Sequence, residues 1–599
     1  MRLSNFYAGT EFNAEDFLGT HKIQDGTYAF RTFAPAAQSI VLKLEDTSVP
    51  MHKIEDGNFW EAQAKVKPGD AYTYAIDHAG NTVDHADPYG FAMELRPAHR
   101  SRIVSLDDYT WHDATWMKQR SNAADKPMNI YEIQLGSWRK KSGDKESQDP
   151  RDWYTYEELA EPLTKYLTET GYNFVEFMPL NEYPFDGSWG YQPTGFFAPT
   201  SRFGTPKQLM KLIDALHQAN IGCILDIVPV HFAKDSYGLA DYDGTALFEY
   251  PNDAVGISEW GSHNFMYSRG ESRSFMQSSA NFWLKTYHFD GLRMDAISRI
   301  IYWQGDENRG VNNDNVKFIC TMNAALKQLN PGSFLVAEDS TNYEGITKPT
   351  DEGGLGFDYK WDLGWMHDTL SFMQTDPYFR AGNYNKLSFS MMYFWNERYL
   401  LPLSHDENVH GKATTAQKMW GDYDRKFPQA RTLYLYMMIH PGKKLNFMGS
   451  EIAQLREWDE DREQDWFLRK YPIHDAFYHY CCELNHLYLT LAAFWDQDYE
   501  QAGFKWLDVD SKTRVCYAIE RTSKRGERVA ALMNFSGAAQ KDYRVPLKNA
   551  KSISVLLDTD WQRFNGATPQ GKTDITYNEK TQEIACTLPA FGSILISIK

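Results

Sequence analysis

The chain has 599 residues, 42% of them hydrophobic and 24% charged, with a formal net charge of −18. That length exceeds what one hydrophobic core supports and predicts about two to four domains of ordinary globular composition. The acidic balance argues against nucleic acid as a partner, because binding it demands basic patches that release counterions, but it places no bar on a neutral polymer.

The opening residues MRLSNFYAGTEFN carry no basic stretch followed by an apolar one, and no apolar run reaches membrane-spanning length. The six cysteines are Cys223, Cys320, Cys481, Cys482, Cys516 and Cys586, with neither metal-ligand spacing nor a disulfide framework. A reduced, cytoplasmic protein with no membrane contact is expected.

Residues 1 to 110 hold short alternating runs, TYAFRTFAP, SIVLKLED, NFWEAQAKV and AYTYAID, separated by turn signals such as EDG, KPGD and HAGN. This spacing predicts a small N-terminal β-sandwich. From 111 to 490 the pattern changes to eight apolar runs of strand length: 129–136, 173–180, 222–230, 289–296, 333–339, 357–364, 399–407 and 444–451. Helical patterns such as TPKQLMKLIDALHQAN and DNVKFICTMNAALKQLN lie between most of them. Uninterrupted apolar strands alternating with helices are the pattern of an α/β fold with a buried parallel sheet, and eight of them predict a (β/α)8 TIM barrel. Residues 491 to 599 return to strands, RVCYAIER, RVAALMNFSG, SISVLLDTD and GSILISI, which predicts a C-terminal β-sandwich.

Three of the barrel runs, HFDGLRMDA, SFLVAED and LLPLSHDE, end in the acids Asp295, Glu338 and Asp406. Active sites of such barrels lie at the C-terminal ends of the strands, and carboxylates gathered round one pocket are what breaking and remaking a glycosidic bond requires. Alternation puts Gly291, Arg293 and Asp295 on one face of their strand. Arg293 beside Asp295 is either a structural ion pair or the fixed cation that keeps a nucleophilic carboxylate ionised. Alternation also groups Glu338 with Phe334 and Val336, so Glu338 either joins the barrel filling or lies outward under a helix. Facing the pocket, it would meet the needs of an acid/base group, whose pKa apolar surroundings and acidic neighbours raise. Asp339 is expected to cap the helix or loop that follows. LSHDENVHGK gathers His405, Asp406, Glu407 and His410, but without the spacing of helical metal ligands. Adjacent His405 and Asp406 suit the hydroxyls of a neutral sugar better. His231 ends the third strand run, where a lone histidine is more often structural than functional. Tyr191 lies in the loop after the second run, placed to stack on a sugar ring.

DIVPVH, DGLRMDA, the glutamate of LVAED and LSHDE resemble the four short signature regions of the α-amylase family of glycoside hydrolases and transglycosylases. Longer strings, IYEIQLGSWR, WGYQPTGFFAPTSRFGTP, GGLGFDYKWDLGWMHDTL and HPGKKLNFMGSEIAQ, resemble the bacterial glycogen branching enzymes within it, and ADPYGFAMELRP resembles the linker after their N-terminal carbohydrate-binding domain. The resemblance implies Asp295 as nucleophile, Glu338 as general acid/base and Asp406 as a third carboxylate that binds hydroxyls and stabilises the transition state. It places Tyr191, His231, Arg293 and His405 around the sugar being cleaved. It implies an α-glucan polymer as partner, transfer of a cleaved α-1,4 chain to a 6-hydroxyl with retention, and no cofactor. A hydrolase of the same family shares these motifs and differs only in the acceptor. Val230 stands where α-amylases often have a calcium-associated asparagine, so no structural calcium or other metal is expected.

Overall fold

The computed structural model describes residues 1–143 and 151–599. At its centre is a closed barrel of eight strands: β1 (Asn129–Ile133), β2 (Phe174–Phe177), β3 (Gly222–Ile227), β4 (Gly291–Met294), β5 (Phe334–Ala337), β6 (Tyr359–Trp361), β7 (Tyr399–Leu403) and β8 (Lys443–Phe447). Each pairs in parallel with the next in sequence, and β8 closes on β1 with Leu445 opposite Ile130. The strands fall on the eight expected runs. They stop before the acids: Asp295 follows β4, Glu338 follows β5 and Asp406 lies three residues past β7.

Alternation separates two environments. Ile130, Ile224, Phe334, Val336, Trp361, Leu400 and Leu445 fill the barrel. Val175, Phe177, Leu225, Leu292, Met294, Leu335 and Ala337 face the surrounding helices instead. Two inward glycines make room for the filling. A Cβ on Gly222 would meet the Phe174 ring at 2.2 Å, and one on Gly291 would meet the Phe334 ring at 2.5 Å.

The surrounding helices include α1 (Tyr156–Thr170), α2 (Pro206–Gln218), α3 (Gly270–Thr286), α4 (Asn313–Leu329), α5 (Leu363–Gln374), α6 (Tyr423–Ile439) and α7 (Pro472–Thr490). Local chemistry sets their starts. Thr155 with Glu158, and Thr205 with Gln208, form reciprocal capping boxes, and Pro206 occupies the first turn of α2. Helices separate most consecutive strands as expected. The exception is the β5–β6 connection, which among the described residues holds only the short turn Thr350–Glu352.

Before the barrel, a four-stranded antiparallel sheet built around Thr27–Phe33 and Phe59–Lys65 lies beside a second sheet built around Ser39–Leu44 and Ala71–His78. The first residues dock onto α3: Ser274, Gln277 and Asn281 donate side-chain hydrogen bonds to the backbone carbonyls of Phe6, Gly9 and Phe12. After the barrel, a five-stranded sheet faces a three-stranded one. In its strand Arg528–Asn534, Ala530 and Leu532 point into the sandwich, whereas Val529, Ala531 and Met533 pack on residues of α6 and α7. Burial on both faces explains that unbroken apolar run. The three-stranded sheet, Gln540–Pro546, Ile575–Asn578 and Glu583–Leu588, was not among the expected strands, because one of its faces is largely solvated and polar residues alternate through it.

Candidate active site

Arg293 is the centre of the site. Its side chain is almost wholly buried, and it projects inward from β4. One guanidinium nitrogen, Nη1, donates to Asp295 Oδ1 at 2.6 Å and to both oxygens of Asp226 at 2.9 Å. Asp226 is opposite Arg293 in the β3–β4 register. The guanidinium carbon lies 4.3 Å from the centroid of the Trp361 ring, which fixes the plane of the fork. Burial and the charge of Asp295 push Asp226 up to about 7, against the pull of Arg293 and the Tyr191 hydroxyl.

Glu338 faces the pocket, in line with Phe334 and Val336 of the barrel filling. Its Oε2 accepts the backbone N–H of Ala296 at 2.7 Å. Ala296 holds a left-handed φ of 51°, which costs roughly 1–2 kcal/mol for a residue with a Cβ. The strained turn aims that N–H at Glu338 and ties it to the residue after Asp295. Burial raises the Glu338 pKa to about 7; the charges of Asp295 and Asp406 add to the rise, and Arg293 and the Ala296 N–H oppose it.

Asp406 differs from the other two: 62% of its side chain is open to solvent. Burial pushes its pKa up, but the charges of His405, Lys412, Arg293 and His410 outweigh this and hold it below the usual range. His405 Nε2 lies 3.7 Å from Asp406 Oδ1 and 3.4 Å from the Tyr191 hydroxyl. Its Nδ1 is 2.5 Å from Glu132 Oε1, and its backbone N–H donates to Glu132 Oε2 at 2.9 Å. Burial disfavours the imidazolium, yet Glu132 and Asp406 raise its pKa to about 9. Tyr191 stacks on His405 at 5.6 Å and donates to Asp226 at 2.6 Å. Tyr191, Arg293, His405 and the three acids therefore form one connected cluster.

His231 is buried beyond β3, with Nδ1 2.9 Å from the Ser262 hydroxyl. Burial and the charge of Arg299 lower its pKa to about 3, so it is a neutral hydrogen-bonding group. Asp339 is anchored behind the barrel by Lys360, at 2.8 Å, and takes the Thr341 hydroxyl at 3.0 Å.

Five further residues belong to the site and were not singled out in the sequence. Asp226 and Glu132 hold Arg293 and His405. Glu176 lies beside Glu132 in the β1–β2 register, buried, with no hydrogen-bond partner for either oxygen. Burial raises its pKa well above the ordinary value, and the charges of Glu132 and Asp226 add to the rise. All three are inward-facing acids in the strand runs IYEI, FVEF and DIVPV, so inward acids in otherwise apolar strands are the signal that finds them. Trp260 is 47% exposed and stands 5.2 Å from His231. With Trp189, which stacks on His410 at 5.2 Å, it supplies flat apolar surface close to the pocket residues.

Among the described residues, one group, His217, Cys223 and Asp290, has the compactness of a metal site. It lies at the opposite end of the barrel from the acids, where Cys223 is the second residue of β3 and Asp290 precedes β4. His217 Nδ1 and Nε2 already face Asp113 and Asp290, at 2.8 and 3.1 Å. Burial opposes its charge, but those carboxylates push its pKa up to about 12, so it is a cation rather than a ligand.

The arrangement is a pocket with one buried cation on a carboxylate, a second carboxyl protonated near neutrality, and stacking surfaces around them. Residues 2–89 match the sequence pattern described as "alpha-1,4-glucan branching enzyme GlgB, N-terminal domain", and residues 506–599 match "Alpha amylase, C-terminal all-beta domain". The chain is 38% identical to the 1,4-alpha-glucan branching enzyme GlgB of Clostridium perfringens, with 99% of this chain and 94% of the relative covered. It is 40% identical to that of Fusobacterium nucleatum, with 94% and 92% covered. Among solved structures, the catalytic module of the glycogen-degrading pneumococcal virulence factor SpuA superposes with a TM-score of 0.75 at 16% identity, covering 100% of this chain and 98% of that one. That last likeness concerns the fold. The near-full-length identity decides the family: this chain belongs to the GlgB family of 1,4-alpha-glucan branching enzymes.

Proposed function

We propose that this protein is a 1,4-α-glucan branching enzyme that works by double displacement with retention. Glu338 protonates the oxygen of an α-1,4 linkage while Asp295 attacks the anomeric carbon. The C–O bond breaks, the released chain leaves with a new 4-hydroxyl, and the donor chain becomes an ester of Asp295. Glu338 then takes the proton from the 6-hydroxyl of an acceptor glucan, whose oxygen displaces Asp295 and forms the α-1,6 branch. Asp406 binds hydroxyls of the sugar at the cleavage point, and His405, Tyr191, Arg293 and His231 surround it.

The observation that carries this reading is the linkage of Asp295 and Glu338 through adjoining groups. Arg293 grips Asp295, and the N–H of the next residue, Ala296, grips Glu338. Such tethering supports the carboxyl spacing of about 5–5.5 Å that retention requires. A Glu338 pKa of about 7 suits a group that must be acid in one step and base in the next. Near-full-length kinship with branching enzymes supports a glucan, rather than water, as acceptor.

The domain division follows the same proposal: 1–110 and 491–599 flank a catalytic unit at 111–490. Six unpaired cysteines support a reducing, cytoplasmic setting, and no helix among the described residues is long and apolar enough to cross a membrane. The net charge supports a neutral polymer rather than nucleic acid as partner.

Incubation with amylose tests the function. Branching lowers and blue-shifts the iodine colour with little rise in reducing ends. A rise in reducing ends in step with colour loss would instead mark a hydrolase.

A further inference from the structure

On the outside of the barrel, beside the closure of β8 on β1, a cavity of about 400 Å3 opens between α1 and α7. Cavities that bind small molecules span roughly 300–1,000 Å3. None of its lining residues belongs to the catalytic cluster. A row of aromatic rings forms one wall: Trp466 lies 5.4 Å from Tyr166 of α1, which lies 6.2 Å from Tyr478 of α7.

Its charge is opposite to that of the chain as a whole. Arg139, Lys165 and Arg469 line it with a single carboxylate, Glu169, in a protein whose net charge is −18. Two of these cations have anionic neighbours. Lys165 Nζ lies 3.8 Å from Glu169, and both side chains are largely exposed, so the pair holds neither group firmly. Arg469 lies 2.9 Å from Asp475, with its guanidinium carbon 3.6 Å from the centroid of the Tyr478 ring.

Arg139 has no such neighbour. It follows the turn Leu135–Trp138 after β1 and is half-buried, its guanidinium carbon 5.0 Å from the Trp138 ring and 4.9 Å from the Trp466 ring. Among the described residues no carboxylate pairs with it, and its Nε is buried with no hydrogen-bond partner. The rings fix the plane of the fork but supply no acceptor. A buried N–H of a permanently charged group left without one is costly, and an anion in the cavity would relieve it.

Charge and shape narrow the ligand. A metal ion would be repelled, and a neutral molecule would leave the Arg139 charge uncompensated. Two planar forks and an ammonium match the several oxygens of a phosphate group. A phosphate monoester carries roughly 1.5–2 negative charges near pH 7, against one for a carboxylate, and so answers the excess of positive charge better. The aromatic wall suits the carbon frame that bears the phosphate.

We propose that this cavity is a binding site for a small phosphate monoester, whose phosphate is held by Arg139, Arg469 and Lys165 and whose carbon frame lies against Trp466 and Tyr478. The site goes beyond the branching reading and does not depend on it, since no catalytic residue takes part.

Isothermal titration calorimetry of the full chain with glucose 6-phosphate, inorganic phosphate and glucose tests it, at about 0.1 M salt so that exposed charges are screened. Glucose 6-phosphate should bind with a single-site isotherm, several-fold more tightly than inorganic phosphate, and glucose should give no heat. Arg139→Gln should weaken the binding about tenfold or more. The double variant Lys165→Gln/Arg469→Gln alters side chains 72% and 35% exposed, which matter little for folding. It should weaken binding to a similar degree and leave the branching of amylose in phosphate-free buffer unchanged. Absence of heat with glucose 6-phosphate would overturn the proposal. Equal affinity of wild type and both variants would overturn it too, by placing the ligand elsewhere, the catalytic pocket included. Inorganic phosphate binding as tightly as the ester would reduce the site to an adventitious ion only and would equally overturn it.

Discussion

Glu132 on β1 holds His405, beyond β7, through two hydrogen bonds, at 2.5 Å to the ring Nδ1 and at 2.9 Å from the backbone N–H. A residue at the start of the barrel thereby sets both the position and the charge of one near its end. With Glu132 against one ring nitrogen and Tyr191 and Asp406 beside the other, His405 has a pKa of about 9 and offers a charged donor at neutral pH.

Glu132→Gln should lower the His405 pKa, measured by NMR titration, because the substitution keeps the shape and removes the opposing charge. The stability sign follows from the raised histidine pKa. The contribution is fully present below the unfolded value of about 6.5 and is lost as pH rises through about 9. Wild type should therefore exceed the variant by at most about 3 kcal/mol near pH 6, with the gap closing by pH 10. A constant gap across that range would show that the pair carries no charge-dependent stability.

Asp295→Asn should fold normally and lose activity on the order of 10⁴-fold or more, as expected when a covalent nucleophile is removed. The iodine assay reads the activity, and thermal unfolding reads the fold. Retained turnover would remove Asp295 from the mechanism; an unfolded variant would make it a structural acid.

The rate should fall as pH rises through about 7, because Glu338 must carry its proton for the first step and its pKa lies there. Glu338→Gln should abolish this limb along with most of the activity. Persistence of the same limb in the residual rate would assign it to another group, with Asp226 the first candidate at about 7.

Arg293→Lys should lower kcat by about 100-fold or more, since an ammonium reproduces neither the planar contact with Trp361 nor the shared grip on Asp226 and Asp295. Arg293→Ala should in addition destabilise the fold by about 3–5 kcal/mol, because it leaves buried Asp226 unpaired. Denaturant melts compare the two; equal stability of Arg293→Ala and wild type would contradict the role given to the pair.

Glu176→Gln tests the buried acid that has no partner. The Glu176 pKa lies above its unfolded value, so its favourable contribution is present at low pH and is lost as pH climbs past the unfolded carboxylate pKa. The amide mimics the protonated acid and cannot ionise. The variant should match wild type near pH 4 and be the more stable of the two at pH 8, by denaturant melts. A variant less stable than wild type at pH 8 would mean that Glu176 is ionised and paired.

Much of this was legible in the chain itself. Eight apolar runs marked the barrel strands, TPKQLMKLIDALHQAN and DNVKFICTMNAALKQLN marked two of the helices between them, and strand-end acids marked the pocket. Less legible were features set by contacts across the fold. The polar three-stranded sheet near the C-terminus hides its strands because it is buried on one face only. Glu132, Glu176 and Asp226 are visible in the sequence as acids inside apolar runs, but which groups they meet, His405 and Arg293 among them, is set only by barrel closure.

The sequence by itself determined the strand periodicity, the placement of Arg293 and Asp295 on one face, and the family motifs, because these depend on residue order and a two-residue repeat. Tertiary structure decided the direction of Glu338, the charge of His405, the solvent exposure of Asp406 and the basic cavity between α1 and α7. Each of these depends on burial and on groups brought together by barrel closure. The Asp226–Arg293 pair spans 67 positions and the Glu132–His405 pair spans 273, distances over which no local pattern carries information.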